Sequence, residues 1–531
     1  MNNCLRAVYF DDEVNVSGNW RDIWEETLGR ISEKSDVVLT SKFDAEEIEK
    51  HKPHIVIVDN VVSEDIYHEN VDVGANFIAK YKDKYPEIVF ILFTQASFSI
   101  KTLGNIYPNP DILIPKTHIL NEKYREKYIA PRIKQLLKRM PIENVHFSHA
   151  DERRDQSISV DTIRVILEQC LFSATRYGKK LIDDVSLSVL HGGKSGASVY
   201  LANVSGIDQR KNVPCVFRLT AKQDIEEEVA NYKQYAWLQM PHNSRVELLG
   251  EGYCGETGGA LYAFALGRQG NATTLTKIIS EKDEGSSAAV FEAICKRIFG
   301  LENIGWYESF PESDELPVGL YFSNRTEYAP EKDNRRYSSI NRNYSNLSFE
   351  NNFSIDSEKL VHSGQIYQVP RNLIDKWHGD RLKMCVCHGD LNTNNIITRE
   401  KLTKISLIDF EYTGVDHIFK DYISLEVSAR CYAHEFAEVT KLEDAIKYER
   451  ERISKFKLVD TNKFSSNNPV DIIRREFLFN NPKLNQENIV FLYLLCLSFH
   501  LQKVLALSDW SQAQFSCLLG SFIATLEELS D

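Results

Sequence analysis

Short apolar runs alternate with amphipathic stretches through about the first 140 residues of the chain. The apolar runs read RAVYF, DVVLT, HIVIVD, IVFILFT and DILIPK, and helical periodicity lies between them near residues 18–33, 44–51 and 74–84. Because parallel strands are joined by crossover helices, this order predicts a parallel sheet with helices on both faces. A charged amphipathic helix over 123–140, closed by Pro141, completes an N-terminal α/β domain of residues 1–140.

The pattern changes near residue 179, where the strand-like runs DVSLSVL, SVYLANV, VPCVFRLT and ALYAFAL surround one helical run at 223–238. This block, 179–268, predicts a small antiparallel sheet with a single helix. After Thr273 helices dominate, except for strands around MCVCHGD, 384–390, and KISLIDF, 404–410. Residues 141–178 are mixed in character and are expected to be a helical linker. An Asn- and Ser-rich stretch at 323–356 is expected to be a long loop or insertion.

Composition restricts the classes of function. The 531 residues are enough for two to four domains at roughly 100–200 residues each. Lys and Arg number 63 and Asp and Glu number 76, so the formal net charge is −13 and a nucleic-acid backbone gains no overall attraction. Nucleic-acid binding is therefore not expected. The Arg- and Tyr-rich part of the insertion, 325–344, is interpreted as a solvated loop, or else as a substrate-side or partner-binding segment.

Neither a membrane segment nor a secreted, disulfide-linked protein is expected. The N-terminal sequence MNNCLRAVYFDDE has no apolar signal region, so the expected location is the cytoplasm. The apolar stretch 489–501 is shorter than the ~20 residues that span a bilayer, so it predicts a buried helix. Ten scattered cysteines have neither disulfide density nor metal-ligand spacing, and Cys385 and Cys387 are interpreted as parts of an apolar strand.

Four strands of the N-terminal domain end in polar residues: Asp11 and Asp12 follow the first, Asp59 the third, Thr94 the fourth and Lys116 the fifth. Each alone would fit a strand-end turn, but the carboxyl ends of parallel strands meet at one edge of the sheet. A carboxylate that attacks a phosphoryl donor needs a divalent cation to offset their mutual repulsion. Asp11, Asp12 and Asp59 would bind that cation, with Asp59 as the nucleophile. Thr94 and Lys116 would contact phosphoryl oxygens.

This ordered set closely resembles the receiver domain of bacterial response regulators, over roughly residues 4–140. The resemblance implies a doubly wound parallel five-stranded sheet with Mg²⁺ bound at the strand ends. It also implies that a partner histidine kinase, or another phosphodonor, phosphorylates Asp59. Receivers commonly carry an aromatic residue three positions before the lysine, and here that position is Leu113.

A glycine-rich segment, LHGGKSGASVY at 190–200, contains Gly192, Gly193 and Gly196 between two strand-like runs. Glycines let the backbone approach a ligand closely and expose N–H groups that can bind phosphates. On its own, a plain hairpin is the more common explanation. Gly193, Lys194 and Ser195 are followed by strand residues rather than a helix, which excludes a phosphate loop of the Walker type.

A second constellation lies at 385–411, CVCHGDLNTNNIITREKLTKISLIDFE. Asn395 follows Asp390 by five residues, and Asp409 ends the next strand. Phosphoryl transfer needs a group that accepts or orients the proton of the nucleophile and a site that holds magnesium against the nucleotide phosphates. Asp390 would be that base, and Asn395 and Asp409 the magnesium ligands. The pattern resembles the aminoglycoside phosphotransferase and choline kinase branch of the protein-kinase-like fold.

The resemblance implies a two-lobed α+β domain that binds ATP and Mg²⁺, with 179–268 as the small lobe and 269–531 as the large lobe. Arg218 stands where the family has its phosphate-contacting lysine, with Lys222 as the substitute should the register shift. Glu228 on the following helix would orient Arg218, and 261–267 would be the hinge that binds adenine.

Two further expectations concern the catalytic loop itself. Asp421 resembles the aspartate that braces this loop in the family, although a helix N-cap explains it equally well. No arginine precedes Asp390, so an activation-loop switch of the protein-kinase type is not expected and regulation has to come from elsewhere.

The two resemblances thus predict an α/β fold class, in which a receiver-like domain precedes a two-lobed kinase-like domain. The predicted function is a signalling protein in which phosphorylation of Asp59 controls an ATP- and Mg²⁺-dependent phosphotransferase acting on an unidentified hydroxyl acceptor. A pseudokinase that relays the receiver state to a protein partner is the alternative, favoured by Arg218 in place of lysine. A DNA-binding response regulator would need a basic helix-turn-helix segment, which the sequence lacks.

Overall fold

The structure is a computed structural model of the whole chain. It describes residues 4–11, 18–60, 73–82, 84–94, 110–139, 142–148, 158–174, 182–189, 197–205, 213–240, 245–264, 272–280, 284–300, 315–347, 349, 352–399, 405–432, 441–458, 464–465, 467–480 and 486–530. The chain forms two compact units, which we call the N-terminal unit (1–229 and 247–268) and the C-terminal unit (230–246 and 269–531).

The first sheet of the N-terminal unit has five parallel strands in the order β2-β1-β3-β4-β5. Its strands are β1 Leu5–Phe10, β2 Ser35–Thr40, β3 Ile55–Asn60, β4 Val89–Thr94 and β5 Ile112–Pro115. The accompanying helices are α1 Gly18–Gly29, α2 Ala45–His51, α3 Val73–Tyr81, α4 Lys116–Ile119, α5 Glu122–Tyr124 and α6 Ala130–Leu137, with a π-helical segment Arg125–Ile129 between the last two. This confirms the predicted parallel sheet, and its strand order is that of a doubly wound fold.

Burial explains why these runs form central strands. Every residue of β3 and β4 is buried, so both strands are covered on both faces, as strands of parallel sheets are. Phe10, Val58 and Leu92 form the core of this sheet together with Ile78 of α3. The chain therefore brings its polar strand ends to one edge of a fully packed layer.

The second sheet of the N-terminal unit has six strands in the order β10-β11-β9-β8-β7-β6. They are β6 Ile142–Phe147, β7 Ile182–Val189, β8 Ser198–Ser205, β9 Val213–Ala221, β10 Leu248–Cys254 and β11 Thr257–Ala263. The helices beside this sheet are α7 Val160–Ala174 and α8 Lys222–Asn231. Helix α8 continues through a π-helical segment, Tyr232–Ala236, into α9 Trp237–Gln239, and both of these belong to the C-terminal unit.

The segment expected to be a linker is instead part of this second sheet. Strand β6 pairs in parallel with β7, and Ile163 and Ile166 of α7 are buried in the same core as the sheet. Helix α7 lies so close to β10 that a Cβ on Gly250 would stand 2.2 Å from the carbonyl oxygen of Cys170. Strand β6 and helix α7 therefore extend the layer of the six-stranded sheet, where their apolar faces are buried.

Three small sheets organise the C-terminal unit. Their strands are β12 Ala272–Thr274, β18 Ile396–Arg399 and β19 Ile405–Leu407 in one sheet; β13 Glu315–Pro317, β17 Arg381–Cys387 and β20 Gly414–His417 in the next; and β14 Phe353–Ile355, β15 Lys359–His362 and β16 Gln365–Gln368 in the third. Cys385 and Cys387 are both buried in β17, which confirms that they belong to an apolar strand.

Helices make up most of the rest of the C-terminal unit. They are α10 Leu275–Ser280, α11 Glu284–Phe299, α12 Val318–Asn324, α13 Pro330–Asn346, α14 Pro370–Leu373, α15 Lys420–Tyr432, α16 Leu442–Lys457, α17 Pro469–Asn480, α18 Gln486–Leu505 and α19 Gln512–Ser530, with 3₁₀ turns at Thr326–Tyr328 and Ile374–Trp377. By length and composition, Asn488–Leu505 of α18 could cross a membrane, but 72% of it is buried inside the fold. This burial fits the core helix that the sequence predicts.

The expectation of a long loop at 323–356 is wrong for much of its length. Residues Pro330–Asn346 form a 17-residue helix that begins with proline at its first turn. Tyr337, Ile340 and Tyr344 are buried along one face of this helix, at helical spacing. The Asn and Ser residues between them concealed this spacing, because they make the stretch polar as a whole without changing the period of its apolar positions.

Candidate active site

The first candidate site lies at the carboxyl edge of the five-stranded sheet. Phe10 of β1 pairs with Val58 of β3, so Asp11 and Asp59, the next residue along each strand, are neighbours. Asn60 pairs with Thr94 of β4, which in turn pairs with Pro115 of β5, directly before Lys116. Asp11, Asp59, Thr94 and Lys116 therefore converge at one sheet edge, as the sequence predicts.

The two described carboxylates at this edge are buried, and both accept hydrogen bonds. Asp59 is 4% exposed, and Lys116 Nζ donates to its Oδ2 over 2.5 Å. The hydroxyl of Tyr9 donates to Asp11 Oδ2 over 2.7 Å, and this fixes the orientation of the Asp11 carboxylate. Two neighbouring carboxylates supply the oxygen ligands that Mg²⁺ prefers, so the described part of this edge fits such an ion. Asp12 lies outside the described residues.

The second candidate group is an ion pair in the six-stranded sheet. Arg218 lies in the central strand β9, paired with Val199 of β8 and Ala260 of β11. Its Nε stands 3.2 Å from Glu228 Oε2, and both side chains are almost completely buried. Glu228 is thus adjacent to Arg218, as its predicted role in orienting Arg218 requires.

Tyr262 extends this pair, since its hydroxyl donates to Glu228 Oε1 over 2.5 Å. Lys222 does not take the place of Arg218, because its Nζ donates to the carbonyl oxygen of Asp111 over 3.3 Å. The glycine-rich segment with Gly192, Gly193 and Gly196 lies outside the described residues, as do residues 265–267 of the expected hinge.

The third candidate group is the loop between β17 and β18. Two backbone N–H groups of the loop donate to one carboxylate: His388 to Asp421 Oδ2 over 2.7 Å and Gly389 to Asp421 Oδ1 over 2.9 Å. Asp421 lies within the first turn of α15 rather than before it, so the bracing interpretation is confirmed over the helix cap. Buried carboxylates that accept two N–H bonds hold a backbone in one conformation.

Within the loop, two asparagines hold the catalytic candidate. Asn392 Nδ2 donates to Asp390 Oδ2 over 2.9 Å, and Asn395 Nδ2 donates to the Asp390 carbonyl oxygen over 2.8 Å. Gly389 takes φ 83°, and a Cβ there would stand 2.0 Å from the carbonyl oxygen of Tyr412. Only glycine fits this turn, and Asp390 is held directly beyond it.

The two expected magnesium ligands are adjacent. Ile396 of β18 pairs with Leu407 of β19, and the N–H of Ile408 donates to the Asn395 carbonyl oxygen over 3.1 Å. Asn395 and Asp409 therefore flank the same end of this strand pair. Asn395 engages Asp390 through its amide nitrogen, so its side-chain oxygen can coordinate a cation, and with the Asp409 carboxylate it forms an oxygen donor set that fits Mg²⁺.

The electrostatics of the loop suit a general base. Burial and the charge of Asp409 raise the pKa of Asp390, while His388, Lys503 and Lys420 act in the opposite direction. A carboxylate with a raised pKa is a stronger proton acceptor once ionised. The structure therefore brings a candidate base, Asp390, and the candidate metal ligands Asn395 and Asp409 to one loop region.

Several residues around these groups were not foreseen. Asn392, Tyr262 and Asp111 each make the contacts described above, and Lys503 acts on Asp390 from α18. Asn392 could have been found from the run NTNN between Leu391 and Ile396, because Asx residues commonly bond to nearby backbone in such turns. The other three have no local sequence signal, since Tyr262 and Asp111 bond to groups more than thirty residues away and Lys503 acts on Asp390 only through its charge.

A comparison with known proteins bears on the predicted kinase-like domain in the C-terminal region. Residues 291–426 match a family model described as choline/ethanolamine kinase, and this range includes Asp390, Asn395, Asp409 and Asp421. The match supports a kinase-like phosphotransferase domain in the C-terminal region. No curated protein matched the sequence of this chain.

Three solved structures are similar to parts of this chain. An ethanolamine kinase from Plasmodium vivax is 12% identical, covers 65% of this chain and 84% of its own, and has a TM-score of 0.32. Aminoglycoside phosphotransferase APH(3'')-Id from Streptomyces rimosus is 17% identical, with coverage of 45% and 76% and a TM-score of 0.27. An aminoglycoside-3'-phosphotransferase of type VIII is 15% identical, with coverage of 56% and 93% and a TM-score of 0.28. At these TM-scores the similarity carries no weight for function.

Proposed function

We propose that this protein transfers the γ-phosphoryl group of ATP to a hydroxyl group of a small acceptor, under the control of its N-terminal domain. The observation that supports this most is the loop around Asp390. Its backbone is braced by Asp421, its carboxylate is bonded by Asn392, and Asn395 adjoins Asp409. A scaffold that only binds nucleotide has no physical need for all of these contacts.

In the proposed reaction, Asp390 accepts the proton of the acceptor hydroxyl as the hydroxyl oxygen attacks the γ-phosphorus of ATP. The bond between the γ-phosphorus and the β–γ bridging oxygen breaks, and ADP leaves with that oxygen. Asn395 and Asp409 would hold Mg²⁺, which offsets the negative charge of the phosphates. Arg218, oriented by Glu228, is the proposed phosphate contact in place of the lysine of the family.

The proposal predicts that Asp390→Asn lowers phosphoryl transfer by about 10²- to 10⁴-fold, the usual contribution of a positioned base. The assay follows label from γ-³²P-ATP into small molecules of a cell extract, with the full-length protein and Mg²⁺. Nucleotide binding, measured by calorimetry, should stay within about twofold of the wild type, because Asp390 acts on the acceptor proton rather than on ATP.

The matched control is Asp444→Asn, on the exposed first turn of α16, which should retain wild-type transfer. Equal transfer by Asp390→Asn and the wild type would remove Asp390 from the mechanism. Nucleotide binding with no transfer by the wild type would favour a pseudokinase.

For the N-terminal domain, we propose that Asp59 accepts a phosphoryl group from a histidine kinase or another phosphodonor, and that Mg²⁺ bound by Asp11, Asp12 and Asp59 assists. Lys116 would then exchange its bond with Asp59 for one with a phosphoryl oxygen, and Thr94 would contact another. We also propose a cytoplasmic location.

Strand β5 supports the proposed control of the phosphotransferase. Lys116 directly follows this strand, and Asp111 directly precedes it. Asp111 accepts from Gly255 N at Oδ1 over 3.2 Å and from Lys222 Nζ at its carbonyl oxygen over 3.3 Å. Lys222 is the first residue of α8, the helix that carries Glu228. A shift of Lys116 on phosphorylation would thus reach the Arg218–Glu228 pair through one strand and one helix.

A further inference from the structure

Two aromatic rings contact Lys116 at the edge of the five-stranded sheet. The Nζ of Lys116 stands 5.6 Å from the centroid of the Trp20 ring and 5.5 Å from the centroid of the Phe93 ring. The same Nζ donates to Asp59 Oδ2 over 2.5 Å. An ammonium group within about 6 Å of a ring centroid is attracted by the electron density of the ring face. Lys116 is therefore held by one carboxylate and two aromatic rings at once.

The register of the sheet explains why Phe93 lies at this position. Phe93 of β4 pairs with Asp59 of β3 on one side and with Ile114 of β5 on the other. Paired residues of neighbouring strands project from the same face of a sheet, so the Phe93 ring lies beside the Asp59 carboxylate. Lys116 follows Ile114 by two residues and reaches the same face from the end of β5. Phe93 therefore underlies the pair that Asp59 and Lys116 form.

Helix α1 supplies the second ring. Trp20 and Trp24 lie one turn apart on this helix, and both rings meet Phe93 edge to face, with their centroids 5.2 Å and 5.5 Å from the Phe93 centroid. Trp24 and Phe93 are completely buried, whereas Trp20 is partly exposed. The Lys116 side chain that Trp20 contacts is only 11% exposed. Trp20 is therefore the ring that separates the Lys116 ammonium from solvent.

Such an arrangement has two physical effects on the site. The ammonium of a lysine is carried on a flexible four-carbon stem, so a fixed position at Asp59 costs conformational entropy that contacts have to offset. Aromatic rings provide such contacts without neutralising the charge, which stays available to a phosphoryl oxygen. The indole surface also excludes water, the molecule that would hydrolyse a phosphorylated aspartate.

We propose that Trp20 is a positioning residue of the phosphorylation site: together with Phe93 it holds the Lys116 ammonium at Asp59, and it keeps water from the phosphorylated aspartate. In the hydrolysis that Trp20 slows, the oxygen of a water molecule attacks phosphorus as the bond between phosphorus and the Asp59 oxygen breaks. The carboxylate leaves with the bonding electron pair, and inorganic phosphate takes up the oxygen and the protons of the water. This role rests on the proposed phosphorylation of Asp59 and concerns the lifetime of that phosphorylated state.

The decay of label on Asp59 tests the role of Trp20. The full-length protein is phosphorylated with ³²P-labelled acetyl phosphate and Mg²⁺, the donor is removed, and the loss of protein-bound label is followed. We expect Trp20→Ala to lose label about 3- to 30-fold faster than the wild type, the factor that corresponds to one cation–π contact. Trp20→Phe should restore most of the lifetime, because it returns an aromatic ring to this position.

Trp24→Phe is the matched control, because it alters a ring that packs against the same Phe93 one turn further along α1. Label on this variant should decay as it does on the wild type. Equal acceleration in Trp24→Phe and Trp20→Ala would overturn the proposed role, since the effect would then come from packing of the rings. Unchanged or slower decay in Trp20→Ala would overturn it as well.

A second measurement separates the role of Trp20 from the function on which it rests. A limiting amount of acetic anhydride acetylates accessible lysines, and mass spectrometry compares Lys116 with the exposed Lys34 in the same sample. Without any phosphodonor, we expect acetylation of Lys116 relative to Lys34 to rise about 3- to 30-fold in Trp20→Ala. Unchanged acetylation would show that Trp20 does not cover Lys116. Increased acetylation of Lys116, with no label on Asp59 of the wild type, would refute the proposed phosphorylation while the enclosure of Lys116 stands.

Discussion

Asp421 shows how much one buried side chain can determine in this protein. It is completely buried, and its two oxygens accept the backbone N–H groups of His388 and Gly389. Asp390, which would take the proton of the acceptor hydroxyl, directly follows Gly389. An error of about 1 Å in such a position can reduce catalysis by about a hundredfold. Asp421 is therefore a positioning residue, because it would hold the loop in place without touching either substrate.

We predict that Asp421→Asn lowers the rate of phosphoryl transfer by about 10- to 100-fold. An amide can accept one of the two N–H bonds but has no charge, and each charge-assisted bond contributes about 1.5–3 kcal/mol. The KM for ATP should change little, because the variant misplaces the base rather than the nucleotide. Steady-state kinetics gives both values, and unchanged kcat would show that the loop keeps its shape without the brace.

At the scale of elements, five helices of the C-terminal unit meet at a buried ionic cluster. Glu426 and Arg430 come from α15, Glu449 from α16 and Arg474 from α17, with Arg430 bonded to both glutamates over 2.6 Å. The Tyr493 hydroxyl of α18 donates to Glu426 over 2.7 Å, and Ser521 of α19 accepts from Arg430 over 2.7 Å. Removing one partner from such a cluster leaves a buried charge uncompensated.

We predict that this cluster makes the C-terminal unit sensitive to acid. Although burial opposes it, Arg430 and Arg474 lower the pKa of Glu449 to about 2, against roughly 4.3 in an unfolded chain. A lowered pKa stabilises the folded state above the unfolded value, so this contribution is present near pH 5 and disappears as the pH falls through about 2. It amounts to about 3 kcal/mol.

Urea unfolding of the wild type and of Glu449→Gln between about pH 5 and pH 2.5 measures this contribution. The variant should lose about 3–5 kcal/mol near pH 5 and show a weaker dependence on pH. Glu451→Gln, on an exposed position of the same helix, should match the wild type. Parallel pH curves for Glu449→Gln and the wild type would contradict the assignment of the acid sensitivity to Glu449.

The elements also show what the sequence could predict. The parallel sheet, its polar strand ends and the loop around Asp390 were all predicted, because each follows from local periodicity or fixed spacing. Helix α13 was not, since Asn and Ser residues obscured the spacing of Tyr337, Ile340 and Tyr344. Strand β6 was missed because its pairing with β7 depends on a partner about forty residues away. No sequence motif marks Lys503, although its charge acts on Asp390.

At the scale of the whole molecule, the proposed regulation depends on contacts inside the N-terminal unit. Helix α6 supplements the Asp111 contacts: Arg132 pairs with Glu226 over 3.0 Å, and Gln135 Nε2 donates to Glu251 over 3.1 Å. Both acceptors belong to the layer of the six-stranded sheet. The two sheets of this unit are therefore joined by polar contacts at helix α8 and at strand β10.

We predict that beryllofluoride with Mg²⁺, a mimic of the phosphorylated aspartate, changes the transfer rate of the wild type but not of Asp59→Asn. Lys222→Met should still bind beryllofluoride yet lose most of the rate change, because the contact between Asp111 and α8 is removed. Lys233→Met, on an exposed position further along the same helical run, is the control. Titration of intrinsic fluorescence follows binding, and label transfer follows rate.

Two outcomes would count against this regulation. An equal rate change in Asp59→Asn would exclude Asp59 as the controlling residue. A full rate change in Lys222→Met would leave Asp59 in control but remove strand β5 and helix α8 from the route.

The tight turn at Gly389 limits how such an enzyme can acquire regulation. In this backbone any side chain would collide with the carbonyl oxygen of Tyr412, so no single substitution can introduce the arginine by which protein kinases sense a phosphorylated loop. An arginine at this position would require the whole turn between β17 and β18 to move. Control of the proposed transfer therefore has to act through contacts elsewhere in the chain, such as those that Asp111 makes with Lys222 and Gly255.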